Sequence, residues 1–129
     1  MVAIVNGNDD VVEMLRLSFE QAGFVVVSVH VDAIKRGATN LTDFVRAHKP
    51  QVIVFDLVPP YDRSYRFIEQ LRQTQVLNGC QFVLTSTNQT RAQELARTAE
   101  EVYEVVGKPC DLEQITRAVK EASRARPTR

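Results

Sequence analysis

Three polar residues of this 129-residue chain stand where an apolar run stops. Asp56 follows Val52–Phe55. Thr85 follows Phe82–Leu84 and opens the hydroxyl triplet Thr85-Ser86-Thr87. Lys108 follows Val102–Val106 within Gly107-Lys108-Pro109. The intervals are 29 residues from Asp56 to Thr85 and 23 from Thr85 to Lys108. If the runs are parallel strands, an acid, a hydroxyl and a lysine converge on one sheet edge. Ligands of open parallel sheets bind there, outside the carboxyl ends of the strands. A first run, Val2–Val5, reaches the same edge in Asn6-Gly7-Asn8. Each residue alone has a plainer use: a loop acid, a strand stop before a helix, hydroxyls that satisfy loop backbone. The ordered set is what argues for a site. Other chemistries lack their motifs. Asn6-Gly7-Asn8 holds a single glycine, no G-x-x-x-x-G-K occurs, and Cys80 and Cys110 have no C-x-x-C spacing. Of the histidines His30 and His48, neither is read as catalytic; His48 lies at a helix end, where the dipole favours a cation.

The elements that position these residues alternate in period. Val2–Val5, Phe24–Val29, Val52–Phe55, Phe82–Leu84 and Val102–Val106 read as strands, and a short continuous apolar run such as Val2–Val5 suits a strand buried on both faces. Between them lie helical stripes. Asn8 or Asp9 caps the first, which carries Val11, Val12, Leu15, Phe19 and Ala22, with Gly23 closing it. Thr39 or Asn40 caps a short helix with Leu41, Phe44 and Val45 inward, ended by Pro50. Val31–Ala38 reads as a loop. Pro59-Pro60 makes Leu57–Tyr61 a loop too, so Asp62 caps a helix burying Phe67, Ile68 and Leu71. Asn78-Gly79 signals a turn. Thr87 or Asn88 caps a helix with Ala92, Leu95, Ala96 and Ala99 on one side. The last helix starts near Asp111 and buries Leu112, Ile115, Val119 and Ala122. Five strands alternating with five helices imply a parallel sheet covered on both faces.

Composition sets outer limits. Hydrophobic residues are 44% and charged residues 25%, a globular balance in one domain's length. Lys+Arg is 16 and Asp+Glu is 16, and this zero balance argues against nucleic acid as main partner. No stretch approaches the ~18 apolar residues of a membrane span, and the N-terminus shows no signal-peptide pattern. Two cysteines are too few for a disulfide scaffold. The expectation is a soluble cytoplasmic protein with free thiols, a domain over 1–124 and a basic tail over 125–129.

The ordered set resembles the receiver domain of two-component response regulators. The matching pieces are Val-Ile-Val-Phe-Asp-Leu (52–57) with Pro60 four residues beyond the acid, Phe-Val-Leu-Thr-Ser (82–86) and Gly-Lys-Pro (107–109). The resemblance spans nearly the whole chain. It implies a flavodoxin-like three-layer α/β sandwich with a five-stranded parallel sheet in the order 2-1-3-4-5. It implies Asp56 as phosphoacceptor, taking a phosphoryl group from a phosphohistidine of a sensor histidine kinase or phosphotransfer protein. Lys108 would contact the phosphoryl group, Thr85 would donate to it and shift, and Lys108-Pro109 would be cis. Activity would stop at self-phosphorylation and dephosphorylation. With no output domain attached, the signal would pass to a downstream protein target. Dimers and target contacts would use the last helix, the fifth strand and the fourth helix, here with Arg91, Glu94, Arg97, Tyr103, Arg117 and Lys120.

The departures from this pattern are local. Receivers carry two acids after the first strand, and those positions here are Asn6 and Gly7. The metal set implied by the resemblance is then Asp56, Asn6 and Val58, a degraded site, since Mg²⁺ wants carboxylate oxygens. Asp9 and Asp10 read as helix-start acids. One charge pair at ~4 Å and an effective dielectric of about 20 is worth roughly 4 kcal/mol before desolvation. Losing two carboxylates therefore weakens cation binding and leaves Asp56 balanced by Lys108. Weak or absent Mg²⁺ binding and slow or lost phosphorylation follow. The aromatic residue three positions before the lysine is replaced by Val105, and strand alternation puts Tyr103 on the same face as Val105. Tyr61 and Tyr65 flank the loop after Asp56, as partner surface or half-buried packing.

Three functions fit in decreasing order. The first is a stand-alone receiver accepting a phosphoryl group on Asp56 with low or altered Mg-dependence. The second is a phosphorylation-independent pseudo-receiver acting as a protein–protein interaction module. The third is a small flavodoxin-like ligand binder or enzyme.

Overall fold

The computed structural model describes residues 1–77 and 79–125. Five strands form one parallel sheet in the order β2-β1-β3-β4-β5. They are β1 (Val2–Asn6), β2 (Val26–His30), β3 (Val52–Leu57), β4 (Gln81–Ser86) and β5 (Val102–Gly107). The helices are α1 (Asp9–Gln21), α2 (Val31–Lys35), α3 (Leu41–His48), α4 (Tyr61–Gln73), α5 (Gln89–Leu95) and α6 (Leu112–Arg124).

The continuous apolar runs are two alternating faces. Val2, Ile4, Val52, Val54 and Val83 pack with Leu15 and Phe19 of α1 and with Ile115, Val119 and Ala122 of α6. Ala3, Val5, Ile53, Phe55, Phe82 and Leu84 pack with Val45 of α3, Ile68 and Leu71 of α4, and Ala92 of α5. The period of 2 sends neighbours to opposite layers, so a strand with no polar face can still be fully buried.

Six helices are present among the described residues, not five. The segment expected as a loop after β2 contains α2, a helix whose cap is a histidine: His30 Nδ1 accepts the Asp32 amide at 3.0 Å. Elsewhere the caps are of the expected kind. Asn8, Asn40, Asn88 and Asp111 accept first-turn amides of α1, α3, α5 and α6. The start of α4 differs from expectation. Pro60 is its N-cap, with no side-chain bond, and Asp62 sits inside the first turn. A proline loses nothing there, because the first amides of a helix have no intrahelical acceptor.

Three smaller points concern facing. Leu112 is exposed, and Ala118 is buried in its place. Arg117 and Lys120 also face α1, lining a groove with Ser18 and Gln21. Tyr103 does not share a face with Val105. Phe82 pairs with Val102 but Val83 pairs with Glu104, so Tyr103 is an extra residue on β5. A bulge of this kind flips the alternation. Val102 and Val105 accordingly pack on one side of the sheet, while Val106 packs on the other. Asn78 of the expected turn and residues 126–129 of the expected tail lie outside the described residues.

Candidate functional site

The alternation that builds the core also aims the polar residues. Val54, Val83 and Val106 face the α1/α6 layer. Two residues on from each stand Asp56, Thr85 and Lys108, so all three are set toward that side at the carboxyl edge. Register brings them level. Asp56 pairs with Thr85 across β3 and β4, and Ser86 pairs with Gly107 across β4 and β5. The Lys108 amide then donates to the Ser86 carbonyl at 2.7 Å, which fixes the lysine just past its strand. The Lys108-Pro109 peptide is cis, as the resemblance implied.

The three side chains meet on one atom. Thr85 Oγ1 donates to Asp56 Oδ1 at 2.6 Å, and Lys108 Nζ donates to the same oxygen at 2.7 Å. Both are charge-assisted bonds. Asp56 and Thr85 are buried, while the Lys108 side chain keeps 34% of its exposure. Oδ2 takes no hydrogen bond from the described residues and is not shut off from solvent. The arrangement is a buried carboxylate with one neutralised oxygen and one free oxygen. Chemically, the free oxygen can act as a nucleophile or accept a bond from a partner.

The β1 side of the edge is built differently. Val5 pairs with Phe55, which brings Asn6 up beside Asp56. Asn6 is buried, but its Oδ1 accepts the Asn8 amide at 2.9 Å and so serves its own loop. Asp9 and Asp10 are exposed and open α1. Asp9 Oδ1 lies 3.9 Å from His30 Nε2, which points to a partner away from Asp56. Val58 gives its amide to Ser64 Oγ at 3.3 Å and could offer a cation only its neutral main-chain carbonyl. The Mg²⁺ of receivers needs a set of oxygen ligands with one or two carboxylates. The residues present do not fit it: the only carboxylate of the set is Asp56, one of its oxygens is taken, and the Asn6 oxygen is taken too. Among the described residues, no group of three or more His, Cys, Asp and Glu could hold a metal ion.

Several contacts around the site were not legible beforehand. Tyr61 Oη and Thr87 Oγ1 are 2.8 Å apart, and Asp62 pairs with Arg91. These two contacts tie the first turn of α4 to the loop and helix after β4. Gln89 Nε2 donates to the Val105 carbonyl at 3.1 Å, and a Cβ at Gly107 would come within 2.8 Å of Gln89 Oε1. The glycine before Lys108 thus makes room for a glutamine that ties α5 to β5. Tyr65 is core rather than surface, and its hydroxyl is buried without a partner among the described residues. Burial foremost raises that phenol's pKa, with Arg72 opposing. Burial also pushes the Cys80 thiol up to about 12. Cys110, two residues past Lys108, is raised by burial, with the Lys108 charge pulling the other way.

No family model and no curated protein matches this chain. Solved structures do. A response regulator from Thermotoga maritima is 17% identical with a TM-score of 0.76, covering 96% of this chain and 97% of that one. A signal receiver domain of two-component signal transduction (histidine kinase) from Clostridium thermocellum is 13% identical with a TM-score of 0.75, again covering 96% and 97%. A sensor protein from a Polaromonas species is 21% identical with a TM-score of 0.75, covering 95% and 94%. The likeness is one of fold, and the chain has the receiver-domain fold. No helix among the described residues is long and apolar enough to cross a membrane.

Proposed function

We propose that this chain is a receiver-type signalling module whose input residue is Asp56, a phosphoryl acceptor that works with little or no help from Mg²⁺. The supporting observation is the three-residue contact: Thr85 and Lys108 both bonded to Oδ1, with Oδ2 left free. Oδ2 attacks the phosphorus of a phosphohistidine on a kinase or phosphotransfer protein. The P–N bond breaks, and its electron pair returns to the ring nitrogen. The Lys108 ammonium then moves from a carboxylate to an acyl phosphate and offsets the added charge. Thr85 exchanges its carboxylate acceptor for a phosphoryl oxygen. That exchange pulls on the loop after β4, which α4 and β5 hold through Thr87, Arg91 and Gln89. The output is a change in the α5–β5–α6 surface, read by a downstream protein or a second copy of the chain.

The test is a mass measurement. The protein is incubated with acetyl phosphate, with Mg²⁺ or with EDTA. The expected result is a gain of one phosphoryl group in both conditions, absent in Asp56→Ala. No gain in either condition sinks the phosphoacceptor reading.

A second reading has its own support. Thr85 and Lys108 are already satisfied by the unmodified carboxylate, so the site is closed without a phosphoryl group. In that case the chain is a pseudo-receiver, a constitutive protein–protein interaction module. Partner binding unchanged by Asp56→Ala supports it.

A further inference from the structure

Beside the Asp56 loop, on the opposite layer of the sheet, lies a cleft of about 310 Å³ between α2 and α4. That is at the small end of ligand pockets, which run about 300–1,000 Å³. Its walls are apolar: Val31 and Ile34 of α2, Phe67 of α4, Phe55 of β3 and the prolines of the Val58–Pro60 loop. Its polar groups are few and of one kind. Lys35 and Arg63 border it, both exposed, and neither has an ion pair among the described residues. Ser64 is buried in the wall. Its Oγ already accepts the Val58 amide, so its own O–H is left to donate. An apolar box with two free cations and one inward donor matches a ligand with an apolar body and one anionic end. A neutral apolar ligand would leave the two cations without a role, and a cation would meet repulsion from both.

We propose that this cleft binds a small amphipathic acid, an alkyl or aryl group bearing a single carboxylate. The carboxylate takes Lys35, Arg63 and the Ser64 hydroxyl, and the apolar body lies against Ile34, Phe55 and Phe67. The site does not depend on Asp56 accepting a phosphoryl group. It is joined to Asp56 through the chain, because Val58–Pro60 begins two residues after the aspartate. A ligand on that wall stiffens the loop from the side away from Lys108. It would give the module a chemical input of its own.

The probe is decanoate, titrated into the isotope-labelled chain and followed by amide chemical shifts, with decanol as the neutral control. Saturable shifts confined to α2, Val58–Pro60 and the first half of α4 are expected. The double variant Lys35→Ala/Arg63→Ala changes only exposed side chains, so it folds. It should weaken decanoate binding by about tenfold or more and leave decanol unchanged. Ile34→Trp should fill the cleft and abolish binding, with the rest of the spectrum intact. Asp56→Ala should bind decanoate normally, which separates this site from the phosphoacceptor reading. The proposal is overturned by no saturable shift, by shifts scattered over the surface, by equal decanoate affinity in the double variant, or by partition onto lipid vesicles without binding of free decanoate.

Discussion

The two halves of the carboxyl edge share a backbone plan and differ in what their side chains hold. On the β3–β4–β5 side, Asp56, Thr85 and Lys108 bond across strands, over 29 and 52 residues of sequence. On the β1 side, Asn6 occupies the equivalent place on the same face, yet its bond spans 2 residues. The first half is therefore a site and the second a loop stop. Strand register positions a residue at such an edge, but its function follows from the partner its side chain takes. The charge balance differs in the same way. One half carries a carboxylate and an ammonium, and the other carries an amide and a glycine.

The strongest way to break this contrast is to give the β1 half its acids. Gly7 has no need to be glycine: its φ is not in the left-handed region, and a Cβ there would meet only Val31 Cβ, at 4.0 Å. Asn6→Asp/Gly7→Asp is therefore sterically allowed. We expect the double variant to bind Mg²⁺ and to take a phosphoryl group from acetyl phosphate on the order of 10²-fold faster than the parent, with the gain lost in EDTA. Without metal it should be less stable than the parent, because three carboxylates then share one edge with one lysine. Isothermal titration with Mg²⁺ and time-resolved mass spectrometry measure both effects. A variant that binds Mg²⁺ but is no faster would show that the missing acids do not limit the chemistry.

A smaller effect tests the assembled half. Lys108→Ala leaves the buried Asp56 carboxylate without its cation, at a cost of about 1–3 kcal/mol once the lysine's partial exposure is allowed for. Asp56→Asn removes the charge that needed pairing, keeps an acceptor for Thr85, and should cost less than about 1 kcal/mol. Urea unfolding of both variants at neutral pH gives the difference. Equal costs would mean that Lys108 is held by packing and not by the carboxylate.

The assembled half was the legible half. Asp56, Thr85 and Lys108 each end an apolar run, and neighbouring parallel strands must bring such ends together. The layers were legible too, since the runs and helical stripes reflect burial directly. What escaped were features without a pattern of their own. The five-residue α2 is too short for a stripe, and a histidine ring caps it instead of a hydroxyl or carboxylate. The start of α4 was masked by prolines, which read as breakers but serve as well before a first turn. The bulge at Tyr103 has no turn residue or glycine to mark it in Val102-Tyr103-Glu104-Val105-Val106, and it moved Tyr103 off the face of Val105. The Asn6 amide reads in the sequence as a weakened ligand, because its commitment to the Asn8 amide depends on loop geometry.

The mildest test asks whether the two halves move separately. Among the described residues, side-chain hydrogen bonds and ion pairs tie only the assembled half to α4, through Tyr61 and Thr87 and through Asp62 and Arg91. Tyr61→Phe deletes one exposed hydrogen bond, so the stability loss should be about 0.5–1 kcal/mol at most. Its effect should nonetheless be local. Thr87 and Asn88 lose a tether, and their amides should exchange with solvent faster. Gly7 and Asn8, in a loop held by the Asn6–Asn8 bond and by the Asn8 cap of α1, should exchange at the parent rate. Hydrogen exchange of the two loops, measured in the same sample, decides the matter. Faster exchange in both would mean that the edge moves as one piece, and the division between a site and a loop stop would then hold for chemistry but not for motion.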